Sequence, residues 1–387
     1  MDASGPSALQ RFPVGFHRFL DDENLNYQLN RLVSDGDPEL VEKVRGAAPR
    51  IGGFDDWERE MLRLAGDAEQ AGSFGHAARF VRAAEFFLEP HDPRRPEIYQ
   101  RFRALIDRAF AGRFERASVA SDGASLPVLR LRGAGTRGPL IVHGGFDSFI
   151  EEFLPLLDAF RALEFDVVAF EGPGQGAVLI QQGVPMTHEW ERPTRAVIDA
   201  LGLREATLLG ISLGGCLAIR AAALEPRIAR VVAFDVLDDF FECVASRKGA
   251  LAPLAAAAFL AVRADALLDA ILRAQMKRDL LVRWGIGQGM RITAAGSPAA
   301  FLRAARLYRT APVAKLVTQD VLLLAGAEDH FVPLHQLGRQ ARTLTRARSV
   351  TTRLFTHEEQ AASHCQMGNL PLALRTIARW VEGKQRG

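Results

Sequence analysis

The chain has 387 residues, 48% of them hydrophobic and 24% charged, so it is long enough for one large domain with an added module and too apolar to be disordered. Its 48 basic and 46 acidic residues leave a formal net charge of +2, which offers no extended basic footprint and argues against a nucleic-acid partner. Cys216, Cys243 and Cys365 lie far apart without CxxC spacing, which excludes the usual disulfide framework and zinc signature and fits a reducing compartment.

The first residues, Met1 to Pro6, lack a basic segment followed by an apolar core, so no secretory signal is expected and a cytoplasmic location is the default. Residues 12–110 carry helical periodicity at 39–44, 57–64, 80–88 and 97–110, which predicts an all-helical N-terminal module over 1–112. Pro90, Pro93 and Pro96 each disfavour helix in the residue before them, so 91–95 is expected to be an extended connector.

After Gly112 the period falls to two, with strands predicted at 114–119, 126–131, 140–143, 167–170, 207–211, 231–234, 321–325 and 350–355. The first two alternate and suit an antiparallel edge; the later runs are continuously apolar, as in a parallel sheet buried on both faces. Helical patterns separate them, which gives an α/β protein with a mostly parallel eight-stranded sheet. About eighty residues between the sixth and seventh strands break the alternation. Their helical segments, 239–247, 251–272, 277–284 and 299–308, predict a cap inserted at 238–312 between two parts of the core, 113–237 and 313–387. The most apolar stretch, 250–262, is interrupted by Pro253 and closed by Arg263 and Asp265, too short to span a bilayer, so no membrane association is expected.

The fifth strand runs into Gly210-Ile211-Ser212-Leu213-Gly214 and then a helical pattern. Gly-x-Ser-x-Gly at a strand-to-helix turn is a nucleophile elbow, whose glycines let neighbouring backbone pass without Cβ clashes, although a serine in a glycine-rich turn is the plainer reading. Ser212 needs a base to take its proton and an acid to orient that base. Asp329 follows the seventh strand and is preferred over its neighbour Glu328; Asp235, after the sixth strand, is the rival. His364, just before the last helix, is the expected base, and His357 is read as part of an exposed charged face. The oxyanion donors are expected to be the N–H of Leu213 and that of Gly145 or Phe146, in the loop His143-Gly144-Gly145-Phe146-Asp147 after the third strand. A second glycine cluster, Glu171-Gly172-Pro173-Gly174-Gln175-Gly176, has neither Gly-Lys-Ser/Thr nor dinucleotide spacing and is read as a tight loop at the rim of the site.

Taken together, His143 to Asp147, Glu171 to Gly176, Trp190-Glu191-Arg192-Pro193, Gly210 to Gly214 and His364-Cys365-Gln366-Met367-Gly368-Asn369 resemble one group of α/β-hydrolases. That group includes 2,6-dihydroxypseudooxynicotine hydrolase, the fungal polyketide-shortening hydrolase of the yellowish-green type and esterases similar to the fermentation-respiration switch protein. The resemblance covers roughly 112–380 and does not separate the group's members. It implies the α/β-hydrolase fold and a Ser212, Asp329 and His364 triad, with no metal or cofactor. The substrate it implies is a small carbonyl compound, cleaved at a carbon-carbon bond beside a ketone or at an ester or thioester.

Phe80, Phe86, Phe87, Phe102 and Phe110 suggest a hydrophobic, aromatic or polyketide-like substrate, but equally form core. Asp147 and Glu191 are candidate polar contacts at the rim. A non-hydrolytic cyclase or lyase, and a ligand-binding protein with a vestigial triad, are the competing functions; a homodimer through the N-terminal helices is open.

Overall fold

The computed structural model describes Leu9, residues 12–34, 36–246, Gly249 and 251–385. The Met1 to Pro6 segment, and Arg247 and Ala250 at the ends of two expected apolar or helical segments, lie outside the described residues.

Eight strands form one sheet: β1 (Glu115–Ser121), β2 (Ala124–Leu131), β3 (Pro139–His143), β4 (Asp166–Phe170), β5 (Ala206–Ile211), β6 (Ile228–Phe234), β7 (Asp320–Gly326) and β8 (Ser349–Phe355). The order is β1-β2-β4-β3-β5-β6-β7-β8, antiparallel through β2 and β4 and parallel from there on. Every residue of β5 and β7 is buried, which is why both read as unbroken apolar runs, while β1 at the edge is mostly exposed.

Alternation along the strands sorts the core into two layers. Val142, Leu209, Val232 and Leu322 face one side, with α6 (Leu154–Ala162), α16 (Leu370–Gln385) and the N-terminal helices. Ile141, Leu208, Val231 and Leu323 face the other, with α8 (Glu191–Leu201), α9 (Leu213–Leu224) and most of the insertion. A single turn, α7 (Gly176–Ile180), follows β4.

The N-terminal helices are α1 (Glu23–Leu32), α2 (Pro38–Ala47), α3 (Phe54–Gln70), α4 (Phe74–Phe86) and α5 (Arg95–Ala109). Asp22 and Asp37 cap α1 and α2 by accepting N–H groups of their first turns. The connector expected to be extended at 91–95 is instead a pair of tight turns, closed by Asp92 N–H to Glu89 O at 3.0 Å and Arg95 N–H to Asp92 O at 3.3 Å. Arg95 already begins α5, because Pro96 falls in its first turn, where no N–H is needed.

Between β6 and β7 lie α10 (Phe240–Ala245), α11 (Ala252–Ala261), α12 (Asp265–Met276), α13 (Leu280–Thr293) and α14 (Pro298–Ala305). The single helix expected at 251–272 breaks at Arg263, which takes φ 57°. The one expected at 277–284 starts later and runs on to Thr293 through Gly285, Gly287 and Gly289. Gly289 is there for packing: a Cβ on it would lie 2.1 Å from the Phe301 ring of α14. Helix α15 (His335–Thr343) lies between β7 and β8. No helix of the described residues is long and apolar enough to cross a membrane.

Candidate active site

The turn from β5 into α9 forces Ser212 to φ 60° and ψ −124°, a conformation that costs a non-glycine residue about 1–3 kcal/mol. Its surroundings hold it there: Ser212 N–H donates to Phe234 O at 2.7 Å, and Gly215 N–H donates to Ser212 O at 2.8 Å. The flanking glycines are obligatory, since a Cβ on Gly210 would lie 1.9 Å from Gly214 O and one on Gly214 would lie 2.7 Å from Gly144 O. The elbow projects Ser212 Oγ to 2.8 Å from Nε2 of His364.

His364 is 4% exposed and sits in the loop after β8, with Nδ1 donating to Asp329 Oδ2 at 2.6 Å. The other Asp329 oxygen accepts the N–H groups of Phe331 at 2.7 Å and Val332 at 3.0 Å, which aims the carboxylate at the imidazole. Burial works against the Asp329 charge, but the adjacent His364 and the two amides outweigh it and bring the carboxyl below its ordinary value. Burial likewise opposes charge on His364, and Asp329 overrides it, raising the imidazole well above its usual range.

The rival acid Asp235 lies farther from the ring, 3.7 Å from His364 Nδ1, and its oxygens are occupied by Cys365 N–H at 2.8 Å and Gln366 Nε2 at 2.6 Å. Burial and the nearby Asp329 push the Asp235 carboxyl up to about 7. Asp235, His364 and Cys365 form the one group of described residues with potential metal-ligand atoms within 4.8 Å of one another. Within the protein, His364 Nδ1 is engaged by Asp329, and the two Asp235 oxygens by Cys365 N–H and Gln366 Nε2. His357 is exposed and pairs with Glu328 at 3.3 Å, away from Ser212.

The loop after β3 lies directly on the elbow: a Cβ on Gly145 would sit 2.8 Å from Leu213 N and 2.7 Å from Gly214 N. Among the described residues, the N–H groups of Leu213 and Phe146 donate to no acceptor. The cluster at 171–176 is not at the rim. Glu171 and Gln175 are buried beneath this loop, and Glu171 accepts Ile150 N–H at 3.2 Å and Ala177 N–H at 2.7 Å. Gly172 is needed because the Trp190 ring would meet its Cβ at 2.4 Å, and burial beside Glu151 pushes the Glu171 carboxyl up to about 8.

Ser212 and His364 open onto a cavity of about 390 Å³ walled by Phe86, Phe102 and Phe110 of the N-terminal helices and by Phe240, Phe259 and Trp284 of the insertion. Phe80 and Phe87 serve the module's own core, where Phe87 stacks on Phe54 at 4.4 Å. Asp147 lines the cavity and pairs with Arg31 at 3.2 Å. Glu191 does not reach it: the side chain is turned into α9, where Arg220 holds both its oxygens at 2.8 and 2.9 Å. Tyr27 has no sequence signal beyond its place in a polar helix, yet its hydroxyl donates to His364 O at 3.1 Å and its ring packs edge-on against Phe331.

A mostly parallel eight-stranded sheet, with a serine on a left-handed turn after β5, an acid after β7 and a histidine after β8, defines a protein of the α/β-hydrolase fold. The model of the alpha/beta hydrolase family matches residues 140–373, and the chain belongs to that family. Hydrolase acrC of Aspergillus aculeatus is 29% identical over 77% of this chain and 76% of its own length. The 20-hydroxy-prefusarin hydrolase FUS2 of Gibberella moniliformis is 26% identical over 77% and 76%. The 2,6-dihydropseudooxynicotine hydrolase of Paenarthrobacter nicotinovorans is 29% identical over 57% of this chain and 64% of its own. Among solved structures, AbyA5 matches with a TM-score of 0.68 at 21% identity, covering 92% of this chain and 94% of that one. The 2,6-dihydroxy-pseudo-oxynicotine hydrolase matches with a TM-score of 0.63 at 22% identity, covering 91% and 94%. Both share the fold, N-terminal helices included within the span covered.

Proposed function

We propose that this chain is a metal-independent serine hydrolase in which Ser212 is the nucleophile, His364 the general base and Asp329 the residue that orients it. The observation that carries this reading is the continuous relay from Ser212 Oγ to His364 Nε2 at 2.8 Å and from His364 Nδ1 to Asp329 at 2.6 Å, open at its serine end to an apolar cavity. In the first step Ser212 Oγ adds to the substrate carbonyl carbon while His364 Nε2 takes its proton. The new oxyanion is held by the N–H of Leu213 and that of Phe146 or Gly145, each donor contributing roughly 3 kcal/mol to the transition state. Collapse breaks the bond to the leaving group, which receives the proton from His364. Water, activated by the same imidazole, then releases the acyl group from Ser212.

The leaving group is either a stabilised carbanion or enolate, for a carbon-carbon bond beside a ketone, or the oxygen or sulfur of an ester or thioester. Aromatic walls from two modules support a hydrophobic, aromatic or polyketide-like substrate. The names of the prefusarin and pseudooxynicotine hydrolases among its relatives agree with that class.

Ser212→Ala is expected to abolish turnover of activated aryl esters, and a fluorophosphonate is expected to label Ser212 in the wild type. Ester cleavage that persists in Ser212→Ala, or in labelled protein without modification at Ser212, would overturn the assignment. Product mass separates hydrolysis, which adds water, from cyclisation, which does not.

A further inference from the structure

Four consecutive carbonyls in the loop over the elbow are each held by a side-chain N–H from a different direction. His143 Nδ1 donates to Gly144 O at 2.9 Å, Gln175 Nε2 to Gly145 O at 3.2 Å, Gln288 Nε2 to Phe146 O at 2.9 Å, and Arg82 Nη2 to Asp147 O. Two of these donors belong to the sheet layer, one to α13 of the insertion and one to α4 of the N-terminal module.

A trans peptide is a rigid plane whose C=O and N–H point in opposite directions. Holding Gly145 O therefore aims the Phe146 N–H the other way, and holding Phe146 O fixes the plane on the far side of the same residue. With both planes pinned, Phe146 has no backbone freedom left, and its N–H, which donates to no described acceptor, is set in one direction. The insertion also grips the ring of Phe146, with Trp284 edge-on at 5.7 Å and Phe240 at 5.2 Å. Gln288 itself is steadied by Arg291, whose Nη1 donates to its Oε1 at 3.4 Å.

We infer that Gln288 is a positioning residue for the oxyanion donor at Phe146, so that the insertion acts on the chemical step as well as on the choice of substrate. The inference rests on the serine-hydrolase reading above. When α13 is seated, Gln288 fixes the plane on the C-terminal side of Phe146. When it is not, that plane is free to turn, only Gln175 on Gly145 O still holds the plane that carries the Phe146 N–H, and the donor is less firmly set. Gln288 touches no reacting atom.

The test is Gln288→Met, which keeps length and helix propensity and removes the N–H, assayed with an aryl ester and with an aryl trifluoromethyl ketone. The ketone carbon accepts Ser212 Oγ and leaves a stable oxyanion in the same position, so its inhibition constant reports that site directly. Loss of one such hydrogen bond is expected to lower kcat by about tenfold and to weaken the ketone by a similar factor, with KM changed less than about twofold. Gln288→His, which keeps a ring N–H for the same carbonyl, is expected to recover part of both, and covers the case in which the Met variant is poorly folded.

A raised KM at unchanged kcat would make Gln288 a wall residue and overturn the inference, as would undiminished affinity for the ketone. If the ketone fails to inhibit the wild type, or Ser212→Ala stays active, the serine-hydrolase reading itself is at fault, and that outcome is distinct from both.

Discussion

The Cys365 N–H donates to the carboxylate of Asp235 at 2.8 Å, and this bond holds the turn that carries His364. Cys365 and Gln366 both adopt left-handed backbone, at φ 51° and 49°, each costing a non-glycine residue about 1–3 kcal/mol. Asp235 secures both, through the Cys365 amide and the Gln366 side chain, while Asp329 secures the ring of His364. The two carboxylates beside the imidazole thus have separate jobs, one on the backbone and one on the ring.

That division predicts unequal losses. Asp329→Asn removes the anion that fixes the tautomer and orientation of His364, and kcat/KM is expected to fall by about 10⁴. Asp235→Asn keeps one acceptor and the shape of the site, so a drop on the order of tenfold is expected, with a lowered Tm as the turn loosens. Side-by-side kcat/KM values decide it: a larger loss in Asp235→Asn would make Asp235 the orienting acid.

The pH profile follows from the same pair. His364 acts as a base only when neutral, and Asp329 raises its pKa well above 6.5. Activity is therefore expected to fall as pH drops through that raised value, leaving an alkaline optimum. In Asp329→Asn the attracting charge is gone, so the acid limb of the residual activity is expected to move to lower pH. A limb that stays in place in the variant would show that another group titrates there.

The N-terminal helices reach the same turn from the opposite side, through the Tyr27 hydroxyl on His364 O at 3.1 Å. Tyr27→Phe leaves a buried carbonyl without its donor, and stability is expected to fall by about 1 kcal/mol. A kcat reduced severalfold at unchanged KM would separate a role in holding His364 from a contribution to substrate binding; the reverse pattern would assign Tyr27 to the cavity wall.

How much of this was legible depended on the range of the interactions. The strands were readable because a parallel sheet buried on both faces demands unbroken apolar runs, and β5 and β7 supply them. Ser212, Asp329 and His364, which the structure joins in one chain of hydrogen bonds, could be picked out locally because Ser212 and Asp329 lie just past their strands and His364 just before the last helix, where chain order and local residue type suffice. The expected helix at 277–284 stops short of α13's end at Thr293; Gly285, Gly287 and Gly289 weaken a local helical pattern, and the reason for Gly289, the Phe301 ring it admits, comes from another helix. Glu191 was misplaced for the same reason: its position at a helix start says nothing of Arg220, 29 residues on, that turns it away from the cavity. Tyr27 and Gln288 act through backbone carbonyls 337 and 142 residues away, and no local pattern encodes such contacts.

Trp284 provides the last prediction, because it joins three walls at once. Its indole stacks on Phe86 of the N-terminal module at 5.1 Å and meets Phe146 edge-on at 5.7 Å, while its own helix belongs to the insertion. If its chief service is apolar contact with substrate, Trp284→Ala removes surface that only a large substrate covers. Across a series of aryl esters of increasing acyl length, kcat/KM is then expected to fall by about 10–100-fold for the longest members and by less than about threefold for the acetyl ester, mostly through KM. A uniform loss along the series, carried by kcat, would instead mean that Trp284 acts through Phe146, because a displaced oxyanion donor penalises every carbonyl alike. The slope of the loss against acyl length therefore distinguishes the wall from the support of the loop.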